Sequence, residues 1–260
     1  MKRIIITMPY TDSHCHLQDR RIAKILPELL ASARASGVDR FVCCGSSEDD
    51  WEDVLALTSL GKGLIPMLGL HPWYVGRAKS GWDTRLRNLL KTHAAGIGEC
   101  GLDYAIPEAD REAQLSALET QWSMATGLNR PLTLHCRKAF DTLFALAEKH
   151  GLPNKGAVIH AFSGSAEQAK MAIRHGFFIS FACSLMNPKN KRARKALREV
   201  PPDRLLLETD TPDIPPTPGT LNEPKNLVAL HKAAADLTGL NLEKLLDTIQ
   251  ENAGKIFGFD

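Results

Sequence analysis

"PLTLHCRKAFDTLFALAEKHGLPNKGAVIHAF", residues 131–162, carries two short apolar runs on either side of a segment with a different period. In the middle, Phe140, Leu143, Phe144 and Ala147 fall at i, i+3, i+4 and i+7, which is one face of an α-helix. The flanks, "PLTLHC" (131–136) and "GAVIHAF" (156–162), are too short for helices and are bounded by turn residues, as buried strands are. Strand, helix, strand is the repeating unit of a parallel sheet, because a parallel connection has to cross back over the sheet. Each of these two strands ends near a histidine, His135 and His160.

The alternation extends in both directions. "RFVCCG" (40–45), "LIPMLGLHP" (64–72), "AGIGECGLDY" (95–104), "GFFISFACS" (176–184), "RLLLETD" (204–210) and the run around His14 bring the strand-like runs to eight. Leu115, Leu118, Trp122 and Ala125 mark a further helical face between two of them. Eight strands alternating with helices in 260 residues, close to the roughly 250 typical of the fold, predict an α/β protein of the TIM-barrel type, a closed (β/α)8 barrel. An open doubly wound sheet would call for a Gly-rich phosphate turn after the first strand, where this chain has "HLQDRRIAK" (16–24). With no internal repeat or linker, a single domain over residues 1–260 is expected, and the Pro-rich "DTPDIPPTPGT" (210–220) is expected to be an irregular loop over the barrel mouth.

Composition narrows the function classes. With 43% hydrophobic and 24% charged residues the chain can bury a large core, which excludes extensive disorder. A net charge of +2 is too small for a dedicated nucleic-acid coat, though it permits a local basic patch. The cysteines at 15, 43, 44, 100, 136 and 183 form no CxxC pair and read as reduced thiols. The apolar run in "MKRIIITMPY" is too short for a signal segment, and no stretch approaches the roughly 18 apolar residues of a membrane helix. A soluble, cytoplasmic protein is expected, with no membrane association and no obligate protein partner.

The nine histidines divide in two. His93, His150, His175 and His231 lie in or at the ends of helix-patterned segments, where solvated or capping roles are expected. His14, His16, His71, His135 and His160 fall at the C-terminal ends of predicted strands, as do Glu99, Glu208 and Asp210. In a barrel those ends converge on one face, where catalytic groups are found. Any one of them alone reads as a hydrogen-bonded loop residue; the joint placement argues for a site. Alternation across a strand turns His14 and His16 the same way and Cys15 the other, and pairs Glu208 with Asp210 against Thr209. Cys15, and likewise Cys100 and Cys136, is therefore expected to be buried filler. Imidazoles with a bridging carboxylate suit Zn, Mn, Fe, Ni or, less comfortably, Mg, and the sequence does not choose among them.

The motifs "DSHCHL" (12–17), "GLHPW" (69–73), "GECGLDY" (98–104), "RPLTLHCRKA" (130–139), "IHAFSG" (159–164), "DRLLLETDTP" (203–212) and "NEP" (222–224), in this order and at these spacings, resemble the TatD family of metal-dependent deoxyribonucleases, within the amidohydrolase superfamily of barrels. The resemblance runs through essentially the whole chain. It implies one or two divalent metals, the first held by His14, His16, Glu99 and Asp210, and the second by His135 and His160 with Glu99 as the bridge. It further implies that Glu208 and Asp210 form an acidic pair near the attacking water and that His71 meets the substrate phosphate. Arg137 then reads as a phosphate clamp, or alternatively as the partner of a neighbouring carboxylate. Lys138, Leu221 and the lack of a tyrosine in "TPDIPPTPG" depart from the family pattern, where the leaving part of a substrate would rest.

The expected activity is hydrolysis of phosphodiester bonds at DNA ends, single-stranded DNA included. The alternative is a small phosphate ester or another small substrate of the superfamily. Many C–N hydrolases of that superfamily bridge their metals with a modified lysine on strand 4, where this chain has Glu99. A non-catalytic binder would show loss of a bridge or base, and neither is lost. The basic run "NPKNKRARKALRE" (187–199) could contact backbone phosphates or be a solvated helix with its apolar side inward, and the second reading is preferred; it offers no aromatic side chain to stack a base.

Overall fold

The computed structural model describes residues 9–258; residues 1–8 of the leading apolar run and residues 259–260 lie outside the described residues. Eight strands form one parallel sheet in sequence order: β1 (Tyr10–Cys15), β2 (Val38–Cys44), β3 (Leu64–Leu68), β4 (Gly96–Asp103), β5 (Leu132–Arg137), β6 (Ala157–Ile159), β7 (Phe178–Phe181) and β8 (Leu205–Leu207). Every adjacent pair from β1–β2 to β7–β8 is parallel. β8 returns to β1 through the Asp210 N–H donating to the His14 carbonyl at 3.0 Å and the His16 N–H donating to the Thr211 carbonyl at 2.7 Å. The sheet thus curls into a nearly closed barrel, as expected from the alternation.

Helices α1 (Leu26–Ala35), α2 (Trp51–Leu57), α3 (Trp82–Thr92), α4 (Arg111–Gly127), α5 (Phe140–His150), α6 (Ala166–Arg174), α7 (Lys191–Leu197), α8 (Leu227–Thr238) and α9 (Leu242–Phe257) follow or separate the strands. Short apolar runs such as Leu-Leu-Leu in β8 and Ala-Val-Ile in β6 are buried throughout, as strands covered on both faces must be. The helical residues singled out by period, Phe140, Leu143, Phe144 and Ala147, are the buried face of α5. Caps fix where two of the mouth loops end: Ser165 and Gln168 form a capping box on α6, and the Asn190 side chain accepts from the Ala193 N–H on α7.

Strand-like runs in the sequence overshoot the strands at their C-terminal ends. β6 stops at Ile159 and β8 at Leu207, so His160, Glu208 and Asp210 sit in the first residues beyond the ladder. There the chain leaves the extended conformation, with φ of 41° at Ala161 and 60° at Asp210. The six cysteines are free and buried, Cys15, Cys100 and Cys136 among them.

One expectation about helical residues changes and another holds. His231 is neither solvated nor a cap: it is fully buried in α8, its Nδ1–H donates to the Leu227 carbonyl at 3.0 Å, and its ring lies edge-on to Tyr10 at 4.8 Å. Burial pushes its pKa down to about 4. Leu227, Leu230, His231 and Ala234 share one helical face, a period that marks His231 as inward. The basic run does form a helix, α7, with Ala193, Ala196 and Leu197 inward and Lys191, Arg192 and Lys195 exposed. Arg192, however, also reaches the rim of the cavity at the barrel mouth.

Candidate metal centre

β4 runs through the middle of the site, buried at every residue, and two glycines let it do so. A Cβ on Gly101 would overlap the His135 carbonyl of β5, and one on Gly69, after β3, would come within 2.7 Å of the Glu99 carbonyl oxygen. The close approach brings the Glu99 carboxylate among five imidazoles. Its Oε2 lies 3.4 Å from His14 Nε2 and 3.3 Å from His16 Nε2. Its Oε1 lies 2.7 Å from His160 Nε2, 3.1 Å from His135 Nδ1 and 3.1 Å from His71 Nε2. Asp210 Oδ1 completes the first group, 3.7 Å from His14 Nε2 and 3.5 Å from His16 Nε2. All the residues expected to bind metal therefore converge on one carboxylate.

A proton on the outer nitrogen of a ring leaves the inner one as a lone pair for a cation; His135 and His160 have a carboxylate on both sides, so for them this is the tautomer that ligation would require. His16 Nδ1–H donates to the Cys44 carbonyl at 2.7 Å, leaving Nε2 as the lone pair. His160 Nδ1–H donates to Glu208 Oε1 at 3.3 Å, again leaving Nε2. His135 is turned the other way: its Nε2–H donates to Asp103 Oδ2 at 3.1 Å and Nδ1 faces Glu99. Only His71 differs among these four, because its Nδ1 accepts the Trp73 backbone N–H at 3.1 Å and its Nε2 must carry the proton toward Glu99. Protonated in this way His71 is a donor at the cavity, although its ring also lies in a close group with Glu99 and His135. His14 and His16 face one point, their Nε2 atoms 3.2 Å apart. The β1–β2 pairing shifts register between Asp12 and Cys15, so strict alternation is not what aligns them.

Charge follows the same geometry. Burial works to raise the Glu99 carboxyl, but His160, His71, His135 and His14 around it hold its pKa well below the usual range. Burial works to lower His16 and His160, yet Asp210 and Glu99 hold the first, and Glu99 and Glu208 the second, well above an ordinary imidazole. His71 is lowered by burial, in keeping with a neutral ring. Three inward lone pairs and a carboxylate facing one another repel unless protons or a cation lie between them. That donor set, nitrogen and oxygen with a shared carboxylate, fits one or two divalent ions: His14, His16 and Asp210 form one close group, and Glu99 is shared by two more, with His14 and His160 and with His71 and His135.

Glu208 lies deeper than the sequence suggests. It is fully buried, one oxygen accepting from His160 Nδ1–H and, at 2.7 Å, from the Ala161 N–H, so it backs a histidine and does not face the open cavity. Thr209, between Glu208 and Asp210, turns to Asp12 instead, donating from its N–H at 2.8 Å. Burial pushes the Asp12 carboxyl up to about 8 against those hydrogen bonds.

Asp103 was not anticipated, although Glu99, Gly101 and Asp103 share one parity along β4 and period 2 could have found it. It accepts from His135 and, at 2.9 Å, from the Trp73 indole N–H, and these partners hold its pKa well below the usual range against burial. Arg137 comes no closer to it than 4.0 Å and leaves 57% of its side chain exposed at the rim.

The site opens into a cavity of about 740 Å³. Its rim is divided by charge. Arg137 and Arg192 stand on the β5–β7 side, whereas Asp49, Asp50 and Asp53 after β2 and Asp19 and Asp213 in the β1 and β8 loops stand opposite, with Arg20 of the β1 loop among them. Arg21 ties that acidic side together, bidentate to Asp213 at 2.7 and 2.9 Å and bonded to Asp19 at 2.7 Å.

A profile of the family described as TatD related DNase matches residues 11–258. A protein called 3'-5' ssDNA/RNA exonuclease TatD from Cronobacter sakazakii is 32% identical, over 88% of this chain and 90% of its own length. Human deoxyribonuclease TATDN3 is 27% identical, over 95% of this chain and 93% of its own. Among solved structures, YjjV, a TatD homolog from Escherichia coli, superposes with a TM-score of 0.93 at 26% identity, covering 98% of this chain and all of that one.

Proposed function

The chain belongs to the family of TatD-related DNases and is a metal-dependent hydrolase of that type, and from that premise we propose that it cleaves phosphodiester bonds at the ends of DNA strands, in the cytoplasm, as one catalytic domain. The observation that carries the proposal is the Glu99 carboxylate, one oxygen toward His14 and His16 and the other toward His135 and His160, at the floor of an open cavity. No helix among the described residues is long and apolar enough to cross a membrane.

His14, His16, Glu99 and Asp210 would hold one divalent ion, and Glu99, His135 and His160 a second. Ions held there supply an acidified water and a counter-charge for the phosphoryl oxygens. Asp210, at the edge of the cavity, takes the water's proton. His71 presents its Nε2–H to a phosphoryl oxygen of the substrate, a role its tautomer allows and ligation would not. The Arg137 guanidinium, mostly exposed at the rim, offers a planar fork to the next oxyanion. Glu208 and Asp103 fix the tautomers of His160 and His135 from behind.

Two tests arise here. Asp103→Asn removes the acceptor that orients His135, and metal affinity should fall about 10- to 100-fold, the usual cost of losing such a carboxylate; isothermal titration of the apoprotein reads it, and unchanged affinity would remove Asp103 from the site. The second concerns DNA. Activity on an oligonucleotide at subsaturating concentration should fall steeply with salt, while that on a small chromogenic phosphodiester should change little. Neutralising Lys189, Lys191 and Arg192 together should flatten the oligonucleotide slope by about 0.7 for each phosphate they neutralise in the wild type. Equal slopes for both substrates would overturn DNA as the substrate.

A second reading, a small phosphate ester, is favoured by the acidic half of the rim, which restricts where a polyanion can lie. Assay of the metal-reconstituted protein against single-stranded DNA, duplex DNA, RNA, nucleotides and phosphomonoesters separates the two. Turnover confined to phosphomonoesters would overturn the nuclease.

A further inference from the structure

Trp73 is 56% exposed, yet its position is fixed. Its indole N–H donates to Asp103 Oδ2 at 2.9 Å, its backbone N–H donates to His71 Nδ1 at 3.1 Å, and its ring stands edge-on to His71 at 5.1 Å and 88°. An exposed indole ordinarily keeps its rotamer freedom; this one is held without gaining full burial. The missing cover lies on the cavity side, where Trp73 and its neighbour Tyr74 both line the wall.

Around the rim, the two aromatic residues follow β3, Arg137 ends β5 and Arg192 follows β7, while the rim carboxylates, with Arg20 among them, lie on the β8, β1 and β2 side. A strand whose scissile phosphate rests on His71 Nε2–H therefore has cations for its neighbouring phosphates in one direction and a flat aromatic face next to the phosphate itself. The rings of Trp73 and His71 are close enough for one nucleotide to touch both.

We propose that Trp73 is a stacking platform for the nucleobase at the end being cleaved, a specificity-determining contact that rests on the nuclease reading above. Every base has a π-face, so the platform selects for the presence of a base and not for its identity. The aromatic element absent from the basic run after β7 is supplied by the loop after β3.

The test uses metal-reconstituted protein and two oligonucleotides that differ only in their terminal nucleoside, one with its base and one abasic. Wild-type protein should prefer the base-bearing end by about 5- to 150-fold in kcat/KM, the range of one base–aromatic stack, with the difference in KM. Trp73→Leu should bring the preference close to one, and Trp73→Phe, which keeps a ring but loses the N–H to Asp103, should retain most of it. If Trp73 acts only by holding Asp103 and His135, both variants lose kcat alike and keep the full preference, which overturns the platform. Cleavage of both oligonucleotides equally by the wild type overturns the platform alone, whereas cleavage of neither overturns the nuclease reading and the platform with it.

Discussion

Glu99→Ala should lose metal from both halves of the site and at least about two powers of ten in rate, since charge stabilisation by bound metal supplies several kcal/mol of transition-state binding. The reason is the position of a single carboxylate. Glu99 Oε2 faces His14 and His16 while Oε1 faces His135 and His160, so one truncation removes a donor common to both groups. Elemental analysis after dialysis against metal checks the first half. Thermal unfolding gives an independent readout, because an ion that binds only the folded state raises the midpoint by mass action. Wild-type protein should melt higher with Zn or Mn than with a chelator, and the variant should show no such difference. Glu99→Gln, which keeps the side-chain volume but not the charge, separates lost ligation from disturbed packing. Full metal content in Glu99→Ala would contradict the bridge.

What could be read in advance depended on whether a residue's role is periodic or reciprocal. Short apolar runs mark the strands and a 3.6-residue period marks the buried face of α5, and the ends of strands must converge in a barrel, so His14, His16, His71, Glu99, His135, His160, Glu208 and Asp210 could be placed on one face from the sequence, while the division of roles among them came from the family resemblance. Tautomers are not periodic. The difference between His71 and its neighbours comes from a backbone N–H two residues on that points at Nδ1, and no feature of "GLHPW" states it. The depth of Glu208 was lost for a related reason: alternation stops with the β8 ladder at Leu207, and from there hydrogen bonds to His160 and Ala161, not parity, aim the side chain. Asp103 and His231 did carry periodic signals, one along β4 and the other along α8, but each was outweighed by a louder neighbouring motif or a generic expectation for its residue type.

Asp210→Asn should lower kcat by about 10²- to 10⁴-fold, the range for loss of one general base, and leave the fold in place. The fold should tolerate it because Asp210 lies beyond the β8 ladder, where its backbone N–H bond to His14 holds the loop whichever side chain is present. The side chain is within 3.5 Å of His16 Nε2, so it is proposed both as ligand and as base, and the two roles leave different signatures. A lost ligand weakens metal binding and is restored by raising the metal concentration. A lost base is not: at saturating metal kcat stays low. Unfolding in chelator, where neither role contributes, should have the same midpoint in both proteins. Recovery of full kcat at high metal would leave Asp210 a ligand only, and the proton would have to go elsewhere. Glu208 is a poor substitute, since the oxygen that pairs with His160 is fully buried and also holds the Ala161 N–H. Substrate oxygens or solvent in the cavity would then be the remaining acceptors, and a slower reaction with weak pH dependence would be the result.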